Sequence, residues 1–273
     1  MNKVKLTSFF ILALLFANSV LGKAQIEATN CSFGNNRAVG KYIDHRGFKM
    51  YYETYGSGEP LLMIHGNGGS ISNFENQIPY FSKKYKVIVA DSRAQGKSVD
   101  TSDSLSYEMM ADDLNGLLDT LKIDSCYVIG WSDGGIEALM LAIRHPQKVK
   151  KLASTGANLW PDSSAVGGVM YDEALKYYNS LQKEVQTDKV KNDIKLARLI
   201  AFEPHISANQ LSTISCPALI IGGDHDIILP QHTLFIFQSI PNSFLWIVPN
   251  SGHGTLIEHK DLFNVVVDDF FKR

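Results

Sequence analysis

Cys126-Tyr127-Val128-Ile129-Gly130-Trp131-Ser132-Asp133-Gly134-Gly135-Ile136-Glu137 is the stretch on which the fold turns. Tyr127, Val128 and Ile129 form a short apolar, β-rich run of the kind that fills a buried parallel strand. Ile136, Leu139, Met140 and Ile143 then recur at helical spacing, so a helix leaves where the strand stops. Between them, Gly130, Gly134 and Gly135 crowd around one hydroxyl, that of Ser132. The pentapeptide 130–134 fits G-x-S-x-G in its strand–turn–helix setting. A serine on so tight a turn is held in a strained backbone conformation, and glycines two residues either side let neighbouring chain pass close by. The turn lifts the hydroxyl above a helix N-terminus, whose N–H groups favour developing negative charge. Taken alone, the five residues fit equally an ordinary glycine-rich turn with a capping serine.

The chain on either side decides between them. Leu61-Leu62-Met63-Ile64 is a wholly apolar strand running into His65-Gly66-Asn67-Gly68-Gly69-Ser70. Val87 to Ala90 is another, ending at Asp91-Ser92-Arg93-Ala94-Gln95-Gly96-Lys97-Ser98. An aromatic-rich strand is expected over 48–55, and helices over 74–81 and 107–121. The helix after Ser132 should end at His145-Pro146, before a strand over 151–155. The alternation then breaks: 158–213 carries two amphipathic patterns, 170–185 and 188–202, with no strand between. It resumes with strands at 218–221 and 244–248, a helix over 233–239 between them, and a last helix from Lys260. Apolar strands alternating with helices mean a mostly parallel sheet covered on both faces. The core is thus expected over 25–157 and 214–273, with a polar leader at 25–40 and a small helical lid over 158–213. Ligands bind outside the carboxyl ends of strands in such sheets, where the motifs at 65–70, 91–98 and 130–135 all begin.

Composition narrows the function classes. The chain has 273 residues, 45% hydrophobic and 20% charged, with a formal charge of -2. That describes a globular protein with a substantial core and no basic stripe, so nucleic acid is excluded as a partner and a small-molecule substrate is expected. Lys3 and Lys5 precede the apolar run 9–17, and Gly22-Lys23-Ala24 offers small residues for cleavage before Gln25. Residues 1–24 therefore read as a signal peptide and the product as exported, periplasmic or secreted, without stable membrane insertion; an uncleaved anchor is the alternative. Cys126 and Cys216 read as small buried hydrophobes, and Cys31 leaves the set odd, so neither a disulfide framework nor a metal site is indicated. Gly96-Lys97-Ser98 fails as a phosphate loop, because Asp91 stands where the first glycine is required. No metal and no cofactor are expected.

A serine hydroxyl needs a base to take its proton and a third group to orient that base. Both types follow the helical insertion: Asp224 or Asp226 in Gly222-Gly223-Asp224-His225-Asp226, and His253 in Asn250-Ser251-Gly252-His253-Gly254. His205 and His225 are the rival bases. An oxyanion hole needs two backbone donors, of which the residue after the nucleophile, Asp133, supplies one.

From about residue 45 to the C-terminus, the chain resembles the α/β-hydrolases. Ser132, Asp226 and His253 follow their Ser…Asp…His order. Gly130 to Gly135 together with Gly156-Ala157-Asn158 resemble the valacyclovir hydrolase (biphenyl hydrolase-like) branch, which cleaves esters of α-amino acids. The resemblance implies an α/β-hydrolase fold with an eight-stranded sheet. It favours Asp226, four residues before Pro230, as the acid, and Asn67 as the second oxyanion donor, with His65 orienting that loop and Asp91 and Arg93 bracing the structure. It makes Asp133 a candidate partner for a substrate amine, against its plainer reading as a first-turn helix acid. Gly66 and Trp160 are the further substrate-binding candidates; Tyr171 and Phe202 join Trp160 either on the pocket wall or in lid packing. The expected activity is that of a serine hydrolase of small carboxylic esters or related acyl compounds, aminoacyl esters among them, through an acyl-enzyme. A same-fold peptidase, lactonase, C–C hydrolase or perhydrolase, or a low-turnover binding protein, is the alternative.

Overall fold

The computed structural model describes residues 32–273, so the signal-peptide reading of 1–24 and Cys31 lie outside the described residues. One eight-stranded sheet runs through them. Its strands are β1 (Lys41–His45), β2 (Phe48–Tyr55), β3 (Glu59–Ile64), β4 (Tyr85–Ala90), β5 (Cys126–Trp131), β6 (Val149–Thr155), β7 (Ala218–Gly223) and β8 (Ser243–Val248). They lie side by side in the order β1-β2-β4-β3-β5-β6-β7-β8. The β1–β2 and β2–β4 pairs are antiparallel and the remaining pairs parallel.

The helices are α1 (Ile78–Phe81), α2 (Tyr107–Thr120), α3 (Asp133–Arg144), α4 (Gly168–Leu181), α5 (Asp188–Phe202), α6 (Ala208–Leu211), α7 (Pro230–Ser239), α8 (Thr255–Glu258) and α9 (Lys260–Lys272). Among the described residues no helix is long and apolar enough to cross a membrane.

The central strands are apolar throughout because both faces of the sheet are covered. Leu62, Ile64, Ile88, Val128, Leu152 and Ile220 pack on one face with Leu114, Leu118 and Leu139 of α2 and α3. Their neighbours Leu61, Met63, Val87, Val89, Ile129 and Ile221 pack on the other with Phe74, Phe81, Phe263 and Phe271. Cys126 and Cys216 are free and buried.

Several elements differ from the sequence reading. The helix expected over 74–81 is instead a 3₁₀ turn at Ile71–Phe74 followed by the single turn α1. Pro79 has no N–H, and its ring would collide with the carbonyl four residues back, so it is tolerated only in a first turn. β1 is an additional strand; K-Y-I-D-H alternates too weakly to announce itself because it lies on the sheet edge and is largely exposed. α6 is also additional, a single turn closed by reciprocal hydrogen bonds between Ser207 and Gln210, the S-x-x-Q capping box. Between β6 and β7 the chain builds α4, α5 and α6. α5 is fastened to the core by Lys195, whose Nζ lies 3.1 Å from Asp100 Oδ2. Asp100 in turn accepts from Arg93, whose Nε also donates to Asp113 at 2.6 Å.

Candidate active site

The turn from β5 into α3 holds Ser132 at φ 58°, ψ −122°, a left-handed conformation unusual for any residue but glycine. Its flanking glycines have a steric cause that can be measured. A Cβ at Gly130 would stand 2.1 Å from the Gly134 carbonyl oxygen, and one at Gly134 would stand 2.0 Å from the Ile64 carbonyl oxygen. The pattern in the sequence is therefore three backbone segments in van der Waals contact.

Two loops complete the site. β7 ends into the segment carrying Asp226, and β8 into the segment carrying His253. Asp226 Oδ1 accepts from His253 Nδ1 at 2.7 Å, and His253 Nε2 lies 2.9 Å from Ser132 Oγ. Because an ionised carboxylate only accepts, Nδ1 carries the proton and Nε2 is free to accept from the serine hydroxyl. Asp226 is fixed in turn by the Ile228 N–H at 3.0 Å. Asp224 does different work: it accepts from the Ser251 N–H at 3.1 Å and pairs with exposed His225, tying the two loops together. Neither His225 nor His205 reaches Ser132. Gly156, at φ 65°, makes room for the imidazole, since a Cβ there would lie 2.8 Å from His253 Cε1. The His253 ring is opposed by burial in taking a charge, but Asp226 first, then Asp133 and Glu258, outweigh that and raise its pKa above the ordinary histidine value of 6.5.

The loop after β3 passes over Ser132: a Cβ at Gly66 would stand 3.0 Å from its Cβ and 3.6 Å from Oγ. The Gly66 carbonyl accepts from the Gly69 N–H at 3.1 Å and from His65 Nδ1 at 2.8 Å. His65 Nε2 accepts from the Ser92 N–H at 2.9 Å, which sets the tautomer, and burial keeps the ring neutral. A trans peptide points its C=O and N–H in opposite directions, so pinning the Gly66 oxygen aims the Asn67 N–H. Among the described residues neither that N–H nor the Asp133 N–H has an acceptor. Two unpartnered donors beside a nucleophile with its base and acid are what acyl transfer requires.

The Asp133 side chain is 6% exposed. It accepts from Asn67 Nδ2 at 2.8 Å and lies near the buried Tyr107 hydroxyl, and burial raises its pKa. Trp160, Tyr171 and Phe202 do come together, in a cleft of about 460 Å³ that Arg198, Glu203 and His205 also line. The lining of that cleft does not include Ser132, Asp226 or His253, and the Trp160 ring packs edge-on against His232.

Sequence reasoning passed over Tyr107, Ser92 and Glu137. Glu137 is wholly buried one turn after Asp133, with both carboxyl oxygens 3.3 Å from Ser92 Oγ. Burial, then the neighbouring Asp133, pushes its pKa well above the usual glutamate value. The signal was there: a lone acid within the apolar helix run I-E-A-L-M-L-A-I.

Comparison with known proteins agrees with this geometry. The family model for the alpha/beta hydrolase fold matches residues 59–196. The chain is 30% identical over 247 residues to a mouse (Mus musculus) protein named serine hydrolase BPHL, covering 83% of this chain and 84% of that relative. It is 28% identical over 251 residues to the pimeloyl-[acyl-carrier protein] methyl ester esterase of Legionella pneumophila (strain Corby), covering 82% and 99%. Among solved structures, the enol-lactonase of Burkholderia xenovorans LB400 superposes with a TM-score of 0.71 at 22% identity, over 85% of this chain and 100% of that one, a likeness of fold.

Proposed function

The chain belongs to the α/β-hydrolase fold family, and on that premise we propose that it cleaves small carboxylic esters or related acyl compounds through an acyl-enzyme on Ser132. Ser132 Oγ attacks the acyl carbon while His253 Nε2 takes its proton; Asp226 holds the ring in the required tautomer and stabilises the imidazolium. The oxygen of the tetrahedral intermediate sits against the N–H groups of Asn67 and Asp133. His253 returns the proton to the leaving group, and water repeats the sequence to release the acid.

The observation that carries this reading is the unbroken chain Ser132–His253–Asp226, at 2.9 and 2.7 Å, on a serine held at φ 58°. Covalent labelling by a fluorophosphonate probe tests it. The native protein is expected to label and Ser132→Ala is not; equal labelling of both would place the nucleophile elsewhere.

The substrate is read at the level of acyl chemistry. Aminoacyl esters are a subclass whose amine would have to reach the buried Asp133 carboxyl beside its Asn67 contact, so a panel of aminoacyl against simple p-nitrophenyl esters is the experiment that assigns them. The insertion carrying α4 and α5 serves as the lid, supported by the Asn67 Nδ2 contact to the Leu196 carbonyl at 3.3 Å. Export to the periplasm or medium is proposed on the Lys3–Ala24 leader and is tested by N-terminal sequencing of the cell-associated and external protein.

A further inference from the structure

We propose that the outer edge of β8 is an interface between two copies of this chain, pairing antiparallel across a two-fold axis so that their sheets run on into one another. β8 is the last strand of the sheet and has a neighbour, β7, on one side only. The Ala218 N–H donates to the Asn242 carbonyl and the Asp224 N–H to the Val248 carbonyl. Even-numbered positions therefore face β7. Ser243, Leu245 and Ile247 turn their N–H and C=O groups to the free side, where, among the described residues, those of Leu245 and Ile247 meet no partner.

Sheet edges in natural proteins are guarded by charge, proline, bulges or brevity. The opposite edge, β1, is guarded: Lys41, Asp44 and Arg46 stand on or beside its five residues. β8 is not. From Ile227 to Ile257 the sequence has no Asp, Glu, Lys or Arg, and the strand itself exposes Phe244 and Leu245. The helices flanking it also expose apolar residues, Leu234 on α7 and Leu262 and Val265 on α9, the last two three residues apart on one helical face. A stable interface removes about 800 Å² per partner. That is more than a six-residue strand edge supplies alone, so the helix residues beside it are needed.

The occupant that fits is a second copy. A charged partner finds nothing to pair with over this stretch. An identical strand brings the same uncharged surface and, under a two-fold, the complementary row of donors and acceptors. With odd positions facing outward, Leu245 lies opposite Leu245 and Ser243 opposite Ile247, and Phe244 is set against the other copy's Trp246, a close aromatic pair.

The test is mass in solution by light scattering across a concentration series, with Leu245→Lys and Leu245→Cys. The native protein is expected at twice the chain mass, and Leu245→Lys at half that value with esterase turnover unchanged, since Leu245 lies outside the catalytic groups. Leu245→Cys is expected to cross-link on mild oxidation, because directly opposed residues of a hydrogen-bonded antiparallel pair have Cα atoms about 5.5 Å apart, within disulfide reach; Cys126 and Cys216 are buried and do not compete. A native protein that stays at one chain mass throughout, or a dimer that Leu245→Lys leaves intact, overturns the proposal. So does a monomer whose binding to phosphatidylcholine vesicles is abolished by Leu245→Lys, which would make the edge a lipid surface.

Discussion

Gly134→Ala isolates the close packing on which the whole site depends. The added methyl would stand 2.0 Å from the Ile64 oxygen, 2.5 Å from its carbonyl carbon and 2.7 Å from the His65 oxygen. Real Cβ atoms stay beyond 3.0 Å, and here every obstacle is backbone, so β3 and the start of the next loop must retreat by about 1 Å. Gly66 and Asn67 follow directly, and with them the Asn67 N–H. Losing one oxyanion donor costs about 2.7–4 kcal/mol, or about 10²–10³ in kcat. The loss should appear in kcat with KM little changed, because the donor is used when charge develops on the oxygen and not in ground-state binding. Burst and steady-state hydrolysis of a p-nitrophenyl ester, alongside circular dichroism to establish folding, measures both. Gly47→Ala is the control: its φ of 87° imposes local strain, but a Cβ there meets nothing within 4 Å, so stability falls by about 1–2 kcal/mol while kcat holds. A folded Gly134→Ala protein with kcat within about threefold of native would refute the assignment of Asn67 as an oxyanion donor.

Two further outcomes follow from the electrostatics. His253 must be neutral to act as base and its pKa is raised, chiefly by Asp226 acting against burial, so kcat/KM is expected to fall as pH drops through a value above 6.5; in Asp226→Asn that acid limb moves to lower pH and kcat falls by about 10⁴, read from pH–rate profiles. Glu137 is held protonated by burial while the unfolded chain releases that proton above about pH 4.3, so the folded state binds the extra proton and loses up to about 1.4 kcal/mol per pH unit as pH rises toward the folded pKa. Glu137→Gln removes that dependence, and the difference in Tm between Glu137→Gln and native protein should widen between about pH 5 and 7, whereas a constant difference would mean that Glu137 is ionised.

What the sequence showed and what it hid divide along a physical line. Ser132, Asp226 and His253 were legible because each sits at a strand end, and strand ends are marked by the change from apolar runs to glycine-bounded polar residues. The resemblance to the α/β-hydrolases, in which the acid stands four residues before a proline as Asp226 does before Pro230, then favoured Asp226 over Asp224; the structure gives Asp226 the His253 ring and Asp224 the Ser251 N–H. β1 and α6 were hidden for the opposite reason, since an exposed edge strand and a single capped turn bury too little to leave a period. Asp133 marks the limit of local reading. Beside the nucleophile in sequence, it was equally a ligand for a cation and a helix-start acid, and what its side chain touches depends on Asn67 and Tyr107, brought from other strand ends by the sheet order. Its backbone could be placed from the motif, because the turn fixes it. Its carboxyl could not, because a buried polar side chain answers to whichever partner the fold delivers, and burial makes leaving it without one costly, about 1–3 kcal/mol. Glu137 shows the same dependence: burial, then the charge of Asp133 one helical turn before it, raises its pKa, whereas the Asp133 carboxyl is raised by burial and drawn back by its Asn67 contact.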